Sequence, residues 1–295
     1  MYKKRKEDIG ILLLLGILSL IIIIGSFYSG YRLAQNHNSK IAHKICKKNK
    51  KKKNNVMNKR ESIIPGDTPG EYKPWQDKDN DGKKVAYLTF DDGPSVNTNS
   101  ILNILNQNNI KATFFIIGKN AERNPSLVKE EAANGETIGN HTYSHELSYS
   151  ESPQQFVDDL NKCESILKSI LGADYNLKFA RFPGGSFGSR LQPFRYAVTK
   201  AGYKFIDWND ETGDADGYDL PVYVLLNNLR KNTYMSTVVV LMHDAGAKTT
   251  TVQALPQVIQ YLRSKGYTFE ALKWKVAVTC NKFTSHSYLF FYTLL

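Results

Sequence analysis

From residue 85 onward, short apolar runs rich in β-branched and aromatic residues alternate with stretches of helical periodicity. That alternation restricts the fold more than any other feature of the sequence. The runs predict strands over residues 85–90, 112–117, 137–139, 178–182, 204–207 and 238–242. Between them, helices are expected around residues 101–105, from Pro125, from Ser152-Pro153 through Ile170, and over 192–201, 221–230 and 252–265. Pro125 suits the first turn of a helix, where its missing N–H costs nothing. Strands that alternate with helices lie parallel in one sheet, and roughly seven such repeats suit a (β/α) barrel better than an open sheet.

The N-terminal third is of another kind. Residues 1–60 carry fifteen Lys and Arg against Glu7 and Asp8, or +13, so the +11 of the whole chain leaves about −2 for the other 235 residues. No charge occurs between Asp8 and Arg32, and residues 9–24 are nearly all Ile and Leu. Some 20 apolar residues suffice to cross a bilayer. The basic Lys3 to Lys6 also fit a signal peptide, but no Ala-x-Ala site follows, which favours an uncleaved anchor. Lysines on both sides of the run leave its orientation open by charge alone. Residues 40–60, with Lys50 to Lys53 at their centre, are too polar to fold and read as a linker. They are either a solvated spacer or an attractor of anionic wall polymers or lipid headgroups. Without interleaved aromatics they do not read as a nucleic-acid site. Asp77 to Gly82 imitates the start of a calcium loop, yet position twelve falls on Leu88, so it reads as a polar turn. Cys46, Cys163 and Cys280 have no metal or redox spacing, and Cys163 is expected as a buried thiol on a helix.

Candidate chemistry gathers at the predicted strand ends, where β/α barrels place their active groups. The first strand ends in Asp91-Asp92-Gly93-Pro94. Neighbouring acids there serve one site only if the backbone turns, which Gly93 permits; otherwise they are solvated loop aspartates. His141 and His145 lie four apart, on one face if the segment is a helical turn. With one carboxylate they would make a metal site with open positions, and alone they are as readily surface or core histidines. Arg181 precedes Pro183-Gly184-Gly185 and either orients a carboxylate or makes a surface ion pair. His243 ends the last strand, and one acid of the Trp208–Asp214 loop is placed to orient it or simply lies in solvent.

Together these residues resemble the polysaccharide deacetylases of carbohydrate esterase family 4. The resemblance spans about residues 84–271 and rests on five ordered motifs: Thr89-Phe90-Asp91-Asp92-Gly93, His141-Thr142-Tyr143-Ser144-His145, Arg181-Phe182-Pro183-Gly184-Gly185, the acidic loop ending at Asp214, and Leu241-Met242-His243. It implies a distorted (β/α) barrel of about seven strands. By the same resemblance Asp91 would be the general base and Asp92, His141 and His145 the metal ligands. His243 would be the general acid, with Arg181 holding Asp91 and Asp214 orienting His243. Leu241 would line the acetyl pocket, and the Gly184 N–H would face the oxyanion. The implied cofactor is one divalent ion, zinc first, with cobalt, nickel or manganese as alternatives.

Two departures stand out: Gly184 and Ala215 occupy positions where the family often has an aromatic residue and a Trp. Trp208 or Tyr218 is the sequence's candidate to fill the gap. The expected organisation is a basic segment at 1–8, a transmembrane anchor at 9–31, a Lys-rich linker at 32–83, the deacetylase domain at 84–272 and an atypical apolar tail at 273–295. Such a chain would be a single-pass membrane protein with its domain outside the cell, acting on N-acetylglucosamine in peptidoglycan strands. Another glycan as substrate, binding without turnover, and an iron oxygenase are the alternatives.

Overall fold

The structure is a computed structural model that describes residues 70–76, 82–175 and 179–273. The apolar run at 9–31, the lysine segment, nearly all of the Asp77 to Gly82 turn and the tail from 274 lie outside those residues. Among the described residues no helix is long and apolar enough to cross a membrane.

Eight strands form one sheet in which every pairing is parallel. They are β1 (Lys84–Gly93), β2 (Thr113–Ile116), β3 (Thr137–Asn140), β4 (Phe179–Ala180), β5 (Lys204–Phe205), β6 (Asp210–Glu211), β7 (Thr237–His243) and β8 (Tyr267–Phe269). Seven follow the order β5-β4-β3-β2-β1-β7-β6, while β8 pairs with the first three residues of β1. The helices are α1 (Thr98–Gln107), α2 (Gly118–Arg123), α3 (Pro125–Ala133), α4 (Pro153–Leu171), α5 (Gln192–Lys200), α6 (Val222–Asn232) and α7 (Thr249–Ser264). Pro125 and Pro153 both open helices. At α4 a capping box completes the start: Gln155 N–H donates to Ser152 Oγ at 3.2 Å and Ser152 N–H to Gln155 Oε1 at 2.8 Å. Cys163 is a buried free thiol on α4, as the sequence implies.

Period-two alternation sorts the two faces of the sheet. Ala86, Leu88 and Phe90 of β1 join Val238, Val240 and Met242 of β7 in the core shared with the helices. Val85, Tyr87 and Val239 point the other way and meet Phe115, Phe179, Ile206 and Leu272 in a second cluster. On this inner face the sheet must curl. β4 lies three strands from β1, about 14 Å away in a flat sheet, yet Arg181, the residue after β4, reaches Asp91 of β1 with Nη1 2.9 Å from Oδ1. The edges β5 and β6 are not paired with each other among the described residues, so the expected barrel is a half-barrel of seven strands. Three elements escape the sequence pattern: α2, β6 and β8, each of six residues or fewer.

Candidate active site

The inner column of β1 runs Tyr87, Thr89, Asp91, and that of β7 runs Val239, Leu241, His243, with Thr89 opposite Leu241 and Asp91 opposite His243. Strand periodicity alone therefore brings Asp91 and His243 to the same face at the C-terminal mouth. Asp92 would point away, and the backbone corrects this. The β1–β2 register slips between Asp91 and Gly93, and Asp92 takes φ +71°. The aspartates are thus part of β1 and not a loop beyond it, and the left-handed residue is Asp92 itself, not Gly93. Glycine at 93 has another cause: a Cβ there would sit 2.7 Å from Asp244 Oδ2.

His141 and His145 do not lie on a helical turn. They bracket an irregular loop after β3 in which Thr142 (φ +66°) and His145 (φ +62°) are left-handed. Asp159 of α4 holds that loop by accepting the N–H groups of Tyr143 (3.0 Å) and Ser144 (2.9 Å). Thr142 Oγ1 accepts from His145 N–H at 2.9 Å. The loop tilts the two imidazoles together, centroids 4.8 Å apart.

Asp92, His141 and His145 each offer one ligand atom, all within 4.8 Å of one another. Asp92 Oδ1 lies 3.1 Å from His145 Nε2 and 3.5 Å from His141 Nε2, yet it is buried and accepts no aligned hydrogen bond. His141 Nδ1–H donates to the Arg181 carbonyl at 2.9 Å, which turns the Nε2 lone pair into the cluster. Burial pushes the His141 imidazolium down from its ordinary value, against the pull of Asp91 and Asp92. Burial would raise the Asp92 carboxyl, but the hydrogen-bonding influence of His145 and the charge of the imidazoles outweigh it and hold it at about 2. Two imidazoles and an ionised carboxylate, converging with one carboxylate oxygen that accepts no aligned hydrogen bond, are the donor set of a divalent cation such as zinc.

Arg181 is fully buried, which excludes the surface ion pair. Its Nε donates to Ile206 O (2.9 Å), and its Nη1 to Thr89 Oγ1 (2.7 Å) and to Asp91 Oδ1 (2.9 Å), with Phe115 4.2 Å beneath the guanidinium. Buried charges of opposite sign so paired fix the Asp91 carboxylate in place. Across the mouth, Asp214 accepts His243 Nδ1–H at 2.8 Å, His243 N–H at 2.8 Å and Thr251 Oγ–H at 2.7 Å. Burial works against the imidazolium, but the Asp214 hydrogen bond and the charges of Asp214, Asp91 and Asp92 prevail and push His243 up to about 9. Asp214, from the acidic loop, is therefore buried and paired, not solvated.

The turn after Arg181 closes with Gly185 N–H donating to Phe182 O at 2.9 Å, with Pro183 second and Gly184 third (φ +73°), the sequence signature of a type II turn. Gly184 is exposed. Asp207, buried beside β5, anchors the turn by accepting Ser186 N–H (2.9 Å) and Ser186 Oγ–H (2.6 Å). Leu241 is buried on the inner face of β7. Asp159, Asp207 and Thr251 were not among the residues singled out from the sequence, since lone polar residues on helices and loops carry no spacing signal. Thr89 had one: it lies two before Asp91, on the same strand face.

Residues 78–206 match the family model described as polysaccharide deacetylase. A peptidoglycan-N-acetylglucosamine deacetylase of Bacillus cereus is 35% identical over 193 residues, covering 64% of this chain and 69% of that protein. The crystal structure of a Bacillus cereus polysaccharide deacetylase superposes with a TM-score of 0.60 at 34% identity, over 65% of this chain and 93% of that one. A CE4 family pseudoenzyme from Bacillus anthracis superposes at 0.56 with 25% identity, over 64% of each chain. With these sequence relatives, this parallel half-barrel and its site, the chain belongs to the polysaccharide deacetylases of carbohydrate esterase family 4, a family of hydrolases.

Proposed function

We propose that this protein is a metal-dependent deacetylase that removes the acetyl group from N-acetylglucosamine residues of peptidoglycan. The observation that carries the reading is the buried, ionised Asp92 Oδ1, which accepts no aligned hydrogen bond and lies between two imidazoles, with Asp91 beside it in β1 and His243 opposite Asp91 in β7. Asp92, His141 and His145 would hold a divalent ion, which when bound polarises the acetyl carbonyl and acidifies water. Asp91, fixed by Arg181, takes a proton from the attacking water. His243, kept protonated by Asp214, gives its proton to the departing sugar amine. The Gly184 N–H faces the developing oxyanion, and Leu241 bounds the acetyl methyl. The reaction consumes water and releases acetate and a free amine, with no covalent enzyme intermediate.

The choice of peptidoglycan is supported by the name of the Bacillus cereus relative and by the expected anchor and lysine linker, which would tether the domain outside the membrane beside wall polymers. The test measures acetate and free amine released from N-acetylated glycan by the full-length protein, before and after chelation and after return of zinc, cobalt, nickel or manganese. Asp92→Asn is expected to lose bound metal and activity together. Asp91→Asn is expected to keep its metal and lose about 10²- to 10⁴-fold in rate. Full activity in chelator would overturn the metal reading, and acetate release from O-acetylated glycan alone would move the substrate.

A further inference from the structure

Beside the oxyanion turn stands an aromatic pair that the chemistry above leaves unused. Gly184 offers no side chain, and a Cβ there would meet nothing within 4 Å. The first large side chain after it is Phe187, which is 55% exposed, an unusual position for a ring that size next to a catalytic turn. Its position is set from below. The ring meets Trp208 edge to face, centroids 5.4 Å apart at 86°. Trp208 is held in turn by its Nε1–H donating to Glu211 Oε2 at 3.0 Å. Residue 185 must be glycine for this contact, because a Cβ would lie 2.4 Å from the Phe187 ring and 3.1 Å from the indole. On its other side Trp208 reaches the reacting centre, its ring 5.7 Å from the Arg181 guanidinium that binds Asp91.

We infer that Phe187, braced on Trp208, is a stacking platform for a second pyranose ring of the glycan, next to the sugar being deacetylated. A β-linked hexose presents a face of axial C–H groups with little polar surface, and these partial positive charges match the negative face of an aromatic ring. Continuity with the site selects this occupant: a polymer with one sugar beside Asp91 must pass its neighbours over the walls of the mouth, and Phe187 is an exposed apolar wall on the side of the Gly184 turn. A ring already immobilised by Trp208 and Gly185 loses little freedom on binding. The inference rests on the glycan deacetylase reading and adds where the chain extends.

The experiment compares full-length wild type, Phe187→Ala and Phe187→Tyr on N-acetylglucosamine dimer and pentamer, and measures pentamer binding by calorimetry. In Phe187→Ala the ratio of kcat/KM for pentamer over dimer is expected to fall about five- to tenfold, chiefly through KM, with a parallel loss in pentamer affinity. Phe187→Tyr should restore both. An unchanged ratio overturns the inference, including the case in which both substrates lose equally, since that marks a ring that merely supports the turn. If the wild type releases no acetate, the deacetylase reading fails by itself, and the calorimetric comparison still decides whether Phe187 binds sugar.

Discussion

Asp214 shows at the scale of one residue how a site assigns protonation states. Its two oxygens accept three hydrogens, two of them from His243, so the ring is both oriented and charged. Burial by itself would lower the imidazolium, and the Asp214 carboxylate reverses that, to about 9. In the mechanism proposed above His243 is the general acid, which must be protonated before it acts, so activity should fall above that value. In Asp214→Asn the charge is gone, burial prevails, and the alkaline limb of the kcat/KM profile is expected to move down by about one unit or more. The sign for stability agrees. A raised histidine contributes fully below its ordinary value near 6.5 and loses the contribution as pH rises through about 9. An alkaline limb that does not move in Asp214→Asn would show that another group sets it. Asp91 and Asp92, neighbours in sequence, are aimed differently because one sits in the ladder and the other in a bulge with φ +71°.

At the scale of elements, the strands that position the site were legible because they are period-two apolar runs between turn residues, and β1, β2, β3 and β7 fall where the pattern puts them. The strands β6 and β8 were not, since two or three residues such as Asp210–Glu211 carry no period. The site residues were legible by type and order but not by conformation. His141 and His145 meet through two left-handed residues and an α4 carboxylate, neither of which a four-residue spacing reveals. One element contact carries a test. Gly139 of β3 pairs with Phe115 of β2, and a Cβ at 139 would lie 2.4 Å from the Phe115 ring, whose face supports Arg181. Gly139→Ala must displace that ring, and with it the surface on which the guanidinium rests. Overpacking of this kind costs roughly 1–3 kcal/mol, and the displaced Arg181 should lower kcat at least tenfold even where the variant is folded. Urea unfolding and steady-state rates check the two effects separately, and wild-type kcat in Gly139→Ala would show that Phe115 does not brace Arg181.

For the molecule as a whole, buried acids differ by the neighbours that answer their burial. Those at the site, Asp92 and Asp214, are held below the ordinary carboxylate range by histidine neighbours that outweigh their burial. Among the described residues no cation answers the burial of Glu131, Asp210 and Asp244, and they are pushed up, the latter two to about 7. Asp210, on β6, accepts Thr233 Oγ–H at 2.7 Å and Glu211 N–H at 2.8 Å, which moderates the burial effect without cancelling it. A carboxyl raised in the folded state contributes its stability fully below the unfolded value near 4 and loses it as pH rises through about 7. Asp210 and Asp244 should therefore weaken the fold from about pH 4 to about pH 7, a range in which His243 is still protonated. Each such proton sets a slope of at most about 1.4 kcal/mol per pH unit. Urea unfolding of Asp210→Asn across that range should show a shallower decline than wild type, because the amide keeps an acceptor without the charge. Parallel pH dependences in the two proteins would mean that Asp210 ionises in the folded state as easily as in the unfolded chain.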